Sequence, residues 1–223
     1  MRMIRGVFLA GMAAAMAAPL SAQVDMKLTS ANPYGTVTGW NVYVGPYRGM
    51  MVSEPGSPLI DLFCVDFNNS ISVGQEWDAN FWSLAGDLSS TRFGAMYTAA
   101  AQGYYRQAAW LASQFAETDQ SKWKYIHAAI WHTMTCPGGT CAPGSASGNS
   151  YVNNWLGQAQ LASNYNTINL AEWSVVTDVN TVSGYGGVQE YLTHNVVPEP
   201  RTILLLGTGL VIIVLGVIKR PLG

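Results

Sequence analysis

The chain has 223 residues, with 13 acidic side chains against 11 basic ones and a formal net charge of −2. All 13 acidic residues but only six of the basic ones lie between Gln23 and Pro200, which gives that part a net charge of −7. This balance excludes the basic surface with which proteins follow nucleic-acid phosphates, so nucleic acid is not an expected partner. The same part carries all eight Trp residues, and we expect it to form a single domain over residues 23–195.

The N-terminus has the three-part form of a secretory signal peptide. Two Arg residues precede an uncharged apolar stretch over residues 6–18, and the small pair Ser21-Ala22 precedes Gln23. We therefore predict that residues 1–22 are a signal peptide and that the exported chain begins after Ala22. An uncleaved membrane anchor is the alternative.

Two segments that follow predict β-strands. The stretch "GTVTGWNVYVGPYRGMMVS" (residues 35–53) alternates small or polar residues with Val and Trp residues. The stretch "LIDLFCVDF" (residues 59–67) is a compact apolar run between the turn-forming sequences "PGSP" and "NNS".

The middle of the chain changes to helical periodicity. We predict a helix over residues 91–116, with Gly103 weakening its middle, and a second helix that begins near Thr118. "YVNNWLGQAQLAS" (residues 151–163) predicts a third, shorter helix, and "EWSVVTDVNT" and "GVQEYLT" return to strand character. Strands on both sides of a helical block predict an α+β fold: a β-sandwich or barrel-like sheet with a helical insertion.

The C-terminus carries a long uncharged run. Residues 203–218 contain no charged side chain, and a helix of these 16 residues covers ~24 Å, somewhat less than the ~30 Å of a hydrocarbon core. Flanking basic side chains extend the usable length, because their stems lie in the apolar layer. We therefore predict a transmembrane helix over residues 202–218 and a cytoplasmic basic tail over residues 219–223. A buried helix of a soluble core is the alternative.

A Pro-Glu-Pro triplet stands directly before this run, within the linker of residues 196–201. Val197-Pro198-Glu199-Pro200, the apolar run and the Lys-Arg end together resemble a PEP-CTERM sorting signal, by which Gram-negative bacteria rich in exopolysaccharide hand exported proteins to an exosortase. The resemblance implies an exosortase partner, cleavage near the prolines, transient membrane anchoring, and a final place on the cell surface or in the extracellular matrix. Two prolines keep such a segment extended and open to a protease. A stiff spacer is the alternative.

The three Cys residues divide into a pair and a single thiol. Cys136 and Cys141 enclose the turn-forming sequence "PGGT", and outside the cytoplasm we expect a disulfide between them. Cys64 then remains as a buried small apolar residue, unless it pairs with one of the other two.

A second resemblance concerns Cys64. "LFCVDFNN", "AAWLASQF", "YIHAAIWHTM" and "VQEYL", spread over Leu62 to Leu192, resemble the thioester-domain family of surface proteins. In that family a Cys on a strand is crosslinked to a Gln that precedes an Ala-Ile-Trp element on a helix. Cys64 matches the cysteine, the element falls at residues 129–131, and the Gln position is His127 here. An imidazole has no acyl carbon, so we expect the fold without the crosslink, unless Gln107, Gln114 or Gln120 replaces the missing donor.

Other candidate sites are weaker. A Cys64–His127 pair could form an activated nucleophile, as in cysteine hydrolases. Trp77, Phe81 and Trp82 could form an aromatic platform for an exopolysaccharide. No phosphate loop, nucleophile elbow or zinc-binding helix is visible, and the scattered His residues predict neither a metal site nor a cofactor. The expected role is therefore structural or adhesive, not enzymatic.

Overall fold

The computed structural model describes residues 22–31, 34–37, 40–138, 141 and 148–195. Apart from Ala22, the predicted signal peptide, the Pro-Glu-Pro segment, the predicted transmembrane helix and the basic tail all lie outside the described residues. Among the residues described, no helix combines the length and the apolar character that crossing a membrane requires.

Six antiparallel strands form a closed barrel: β1 (Ala22–Ser30), β4 (Tyr47–Met51), β5 (Leu59–Cys64), β6 (Glu76–Ser83), β7 (Trp173–Asp178) and β8 (Tyr191–His194). Their order around the barrel is β1-β4-β5-β8-β7-β6, and β6 pairs again with β1, with Trp77 opposite Met26. A separate hairpin consists of β2 (Tyr34–Val37) and β3 (Trp40–Tyr43). The predicted α+β class is confirmed, and the sheet is a barrel rather than a sandwich.

The interior of the barrel is filled by alternate residues of its strands, because successive side chains on a strand point to opposite faces. Val24, Met26 and Leu28 of β1 lie in this interior, while Asp25 and Lys27 point outward. A second core lies between the outer face of β5, β7 and β8 and the helices. As a result all six residues of β7 are buried, since both faces of this strand are covered.

The helices are α1 (Arg92–Tyr97), α2 (Ala101–Ser113), α3 (Trp123–Thr135), α4 (Ser150–Ala159) and α5 (Ala162–Tyr165). The helix predicted over residues 91–116 is therefore wrong as one element. It breaks at Thr98, whose φ of 50° and ψ of −123° are incompatible with helix, and a short 3-10 turn joins α1 to α2. The third predicted helix is likewise divided, at residues 160–161, into α4 and α5.

Two strands of the barrel, β1 and β6, were not predicted from the sequence. The predicted strand at "GVQEYLT" is shorter in the structure, because β8 begins only at Tyr191 and the preceding residues form a loop. The predicted strand at residues 35–53 is divided into β2, β3 and β4. Helix α3 lies at the barrel end where β5 finishes, and its Trp131 packs with the interior residues of the barrel.

Candidate functional site

The structure brings Cys64 and His127 together. Cys64 is the last residue of β5, His127 lies in the second turn of α3, and both side chains are fully buried. The Nε2 atom of His127 lies 2.8 Å from the carbonyl oxygen of Cys64, and the backbone N–H of Gly45 donates to Nδ1 at 3.0 Å. Because Nδ1 accepts a hydrogen bond, the ring proton is on Nε2 and is donated to the carbonyl. The imidazole therefore joins two backbone groups and does not bond to the thiol.

Aromatic rings surround this imidazole. The ring of Trp131 stacks on it with centroids 4.3 Å apart, and Phe115 and Tyr47 lie at 5.7 and 5.9 Å. This apolar environment lowers the pKa of His127 to about 4, mainly by burial, against the opposing effect of its bond to the Cys64 carbonyl. The side chain is therefore neutral at physiological pH.

The bond from Gly45 depends on the absence of a side chain. Gly45 has a φ of +86°, and a Cβ atom at this position would lie 2.3 Å from Cε3 of Trp123. Only Gly allows both this backbone conformation and this approach to α3. Gly45, in the turn between β3 and β4, can therefore donate its N–H to His127.

The thiol of Cys64 is bonded to a backbone group and not to the imidazole. It donates to the carbonyl oxygen of Asp66 at 3.2 Å. Burial, with a smaller effect of the Asp66 charge, raises the pKa of Cys64 to about 12. The nearby indole N–H of Trp131 lowers this pKa, although the N–H is not aimed well enough to form a hydrogen bond. The thiol is therefore protonated at neutral pH.

This geometry does not supply the activated nucleophile that a cysteine hydrolase requires. A general base needs a free lone pair directed at the thiol, and both ring nitrogens of His127 are already bonded to backbone groups. A reactive thiol also needs a lowered pKa, whereas that of Cys64 is raised.

A buried ion pair lies next to Cys64. The Nε atom of Arg92 is 2.9 Å from Oδ2 of Asp66, although its N–H is not aimed well enough to form a hydrogen bond, and both side chains are almost fully buried. The other guanidinium nitrogens of Arg92 donate to the carbonyl oxygens of Gly184, Gly186 and Val188. Arg92 thereby holds the loop that precedes β8 against α1. No local pattern in the sequence identified Arg92 as the partner of Asp66.

A further buried carboxyl group, Glu190, lies just before β8 and was also missed. Its Oε2 atom accepts from the backbone N–H of Arg92 and from the Thr177 hydroxyl, both at 2.7 Å, and its Oε1 atom contacts the Tyr105 hydroxyl. Burial raises the pKa of Glu190 to about 7. The residues come from three different elements and a loop, so no local pattern in the sequence could have grouped them.

The structure does not bring the three residues of the predicted aromatic platform onto one exposed surface. Trp77 and Phe81 point into the barrel and are only 7% and 6% exposed. Trp82 points to the opposite face of β6 and packs, half-buried, against the helical core. The three rings therefore present no common exposed surface, because alternation along β6 places them on different faces.

The disulfide between Cys136 and Cys141 is confirmed, and Cys64 is a free, buried cysteine. A nitrogen of His132 lies within 4.8 Å of both sulfurs of this disulfide. Sulfurs that share a disulfide are not thiolate ligands, so this group is not a metal site in the oxidised protein.

A cavity of about 280 Å³ opens at the same barrel end, beside the hairpin of β2 and β3. Tyr47, Trp131, Phe67, Asn69 and Gln189 are among the residues that line it. Among the described residues that line it, none is charged.

Comparison with known proteins gives no relative: no family model, no curated protein and no solved structure matches the chain.

Proposed function

We propose that the chain is an exported surface or extracellular-matrix protein with a structural or adhesive role. Its barrel is a thioester-domain-like fold in which a hydrogen-bonded His replaces the crosslinked Gln. The protein acts without catalysis and needs no cofactor.

The contact between Cys64 and His127 carries this proposal. The resemblance to thioester domains concerns these two positions, which lie 63 residues apart in the chain and meet at the end of the barrel. An accidental likeness of short motifs would not require them to be neighbours. The contact therefore supports a shared fold, while the imidazole, which has no acyl carbon, supports the loss of the crosslink.

The His127 side chain takes over the mechanical role of the crosslink in this proposal. It connects the end of β5 and the turn before β4 to α3 through two buried hydrogen bonds. Each such bond contributes on the order of 1 kcal/mol, which is far weaker than a covalent bond but holds in the absence of load. The protein would therefore support a static assembly and would not capture a partner covalently.

The terminal sequences support the export pathway. The predicted signal peptide leads the chain across the cytoplasmic membrane of a Gram-negative bacterium, and the predicted helix of residues 202–218 anchors it until an exosortase cleaves near Pro198–Pro200. The disulfide between Cys136 and Cys141 is typical of such an oxidising exterior.

Intact-mass spectrometry of the protein isolated from its own host tests the proposal. We expect a mature chain that begins after Ala22, ends near Pro200, carries the disulfide and shows no loss of ammonia. A matched variant with Pro198→Ala and Pro200→Ala should retain its C-terminal helix and remain in the membrane fraction. Recovery of the wild-type chain from the cytosol with both original ends would disprove the export pathway.

The same spectrum distinguishes the main alternative, an active thioester adhesin. Formation of a thioester from a thiol and a carboxamide releases one ammonia, so that protein would be lighter by this amount and would regain it in Cys64→Ala. A deficit of one ammonia in the wild-type chain alone would show that another Gln supplies the acyl group.

A further inference from the structure

Glu190 stands at one end of a line of oxygen atoms. Its Oε1 atom contacts the hydroxyl oxygen of Tyr105, which lies 2.9 Å from Oγ1 of Thr91. That Oγ1 atom lies 2.8 Å from the carbonyl oxygen of Leu88. Glu190, Tyr105 and Thr91 are all fully or almost fully buried, so the line is shielded from bulk solvent.

Each of these contacts needs a proton between its two oxygen atoms, since two oxygens at this distance otherwise repel each other. The Tyr105 hydroxyl supplies one proton and the Thr91 hydroxyl supplies one, whereas the Leu88 carbonyl supplies none. The line has three contacts, so one proton is missing when Glu190 is ionised.

Neighbouring backbone amides do not fill this deficit. The N–H of Phe93 donates to the Tyr105 oxygen at 3.3 Å, and the N–H of Gly94 donates to Oγ1 of Thr91 at 3.0 Å. These bonds occupy lone pairs of the two hydroxyl oxygens and add no proton to the contacts along the line. The missing proton therefore belongs on Oε1 of Glu190.

We propose that Glu190 is an internal proton-binding site, which holds one proton on Oε1 in the folded protein and whose release of that proton loosens α1 and the loop of residues 184–188. With the proton in place, Glu190 donates to Tyr105, Tyr105 donates to Thr91 and Thr91 donates to Leu88. The Oε2 atom remains an acceptor for the Arg92 N–H and the Thr177 hydroxyl.

The charges around Glu190 favour its neutral form. Asp66, from the segment after β5, adds to the effect of burial in raising the pKa of Glu190. The guanidinium of Arg92 on α1 is directed at Asp66 and at loop carbonyls instead. Asp178 of β7 accepts from residues 180 and 188, and burial keeps Tyr105 of α2 protonated by raising its pKa.

Loss of the proton affects α1 because the line passes through its N-cap. Thr91 caps this helix by accepting from the Gly94 N–H, and the next residue, Arg92, binds three carbonyls of the loop. When Glu190 is ionised, either the Tyr105–Thr91 contact or the Thr91–Leu88 contact must open. Opening of either contact displaces Thr91, which caps α1, and disturbs Arg92, which holds the loop.

Hydrogen exchange of the full chain as a function of pH tests the proposal, after correction for the intrinsic pH dependence of exchange. Opening of α1 and residues 184–188 should rise by about tenfold per pH unit from pH 4.5 towards pH 7 and level off above it, because opening releases one proton. Glu190→Gln should show no such slope, since its amide fills the same contacts as the neutral acid at every pH. Equal slopes in the two proteins would overturn the proposal.

A control variant and an infrared measurement complete this test. Glu172→Gln removes an exposed carboxylate and should leave the slope of the wild-type protein unchanged. The infrared spectrum of the wild-type protein should contain the carbonyl band of a buried protonated carboxylic acid at pH 6, which disappears as the pH rises through about 7. Absence of this band at pH 6 would exclude the bound proton even if the Gln variant does not fold.

Discussion

His127 and Cys64 are joined through the backbone: the ring Nε2 donates to the Cys64 carbonyl oxygen at 2.8 Å, while the Cys64 thiol donates to Asp66. This arrangement makes His127 a structural connector between α3 and the barrel.

His127→Ala should destabilise the protein strongly. The change leaves the Gly45 N–H and the Cys64 carbonyl without their partner and opens a cavity among three aromatic rings. We expect a loss of about 3 to 5 kcal/mol in the free energy of unfolding, measured by urea denaturation. His194→Ala is the control, because His194 is exposed and its contacts with Glu172 at 3.5 Å, with Asn195 and with the Trp173 ring lie at the protein surface. We expect this change to cost less than about 1 kcal/mol. Similar losses in both variants would contradict the structural role of His127.

Replacement of Glu190 by Gln should make the slope of stability against pH more positive. Burial lowers the pKa of His127 to about 4, so its contribution is complete above pH 6.5 and is lost as the pH falls towards 4. The pKa of Glu190 is raised to about 7, so its contribution is complete below pH 4.5 and is lost as the pH rises to 7. The two effects on stability oppose each other between pH 4.5 and 6.5. The pKa of Asp66 is also raised, so its effect on stability has the same sign as that of Glu190.

We therefore expect the wild-type protein to have a flat or falling profile in this window. In Glu190→Gln the effect of Glu190 is absent and that of His127 remains. Stability should therefore rise with pH by up to about 1.4 kcal/mol per pH unit. Urea denaturation at a series of pH values measures both profiles, with Glu172→Gln as a surface control. Parallel profiles for the wild-type protein and Glu190→Gln would show that Glu190 is ionised normally.

Thr98→Gly should stabilise the protein. Thr98 is β-branched and exposed, yet its φ of 50° and ψ of −123° belong to a region that Gly adopts readily. Relief of strain on the order of 1 to 3 kcal/mol exceeds the entropic cost of Gly in the unfolded chain, so we expect a gain of about 1 kcal/mol. Ala100→Gly, at an ordinary helical φ of −81° in the same turn, should instead cost about 0.5 to 1 kcal/mol. A loss of stability in both variants, measured by thermal unfolding, would contradict the strain at Thr98.

The sequence carries local strand signals for β1 and β6. "AQVDMKLTS" and "EWDANFWS" both alternate apolar and polar residues with the period of a strand, and they form β1 and β6. The second was interpreted through its aromatic residues as a surface platform. Its alternation, with Trp77 and Phe81 on the interior face, was the better guide.

The long-range contacts could not be derived from local patterns. Tyr105 and Glu190 are 85 residues apart and meet only because α2 packs on the outside of the closed barrel. Periodicity predicts which face of an element is apolar, but it does not predict which elements become neighbours. The proximity of Cys64 and His127 was expected from a resemblance to a family and not from spacing.

His127→Gln tests the relation to thioester domains directly. The change places a carboxamide where an imidazole now reaches the Cys64 backbone, in a fully buried site. If the scaffold is shared, the Cys64 sulfur should attack the new acyl carbon with release of ammonia, and the intact mass should fall by one ammonia. His127→Asn is the matched control, because its shorter side chain does not reach the sulfur, and Cys64→Ser in the Gln variant should remove the thioester. An unchanged mass for a folded His127→Gln protein would mean that the two positions meet without the geometry of a thioester domain.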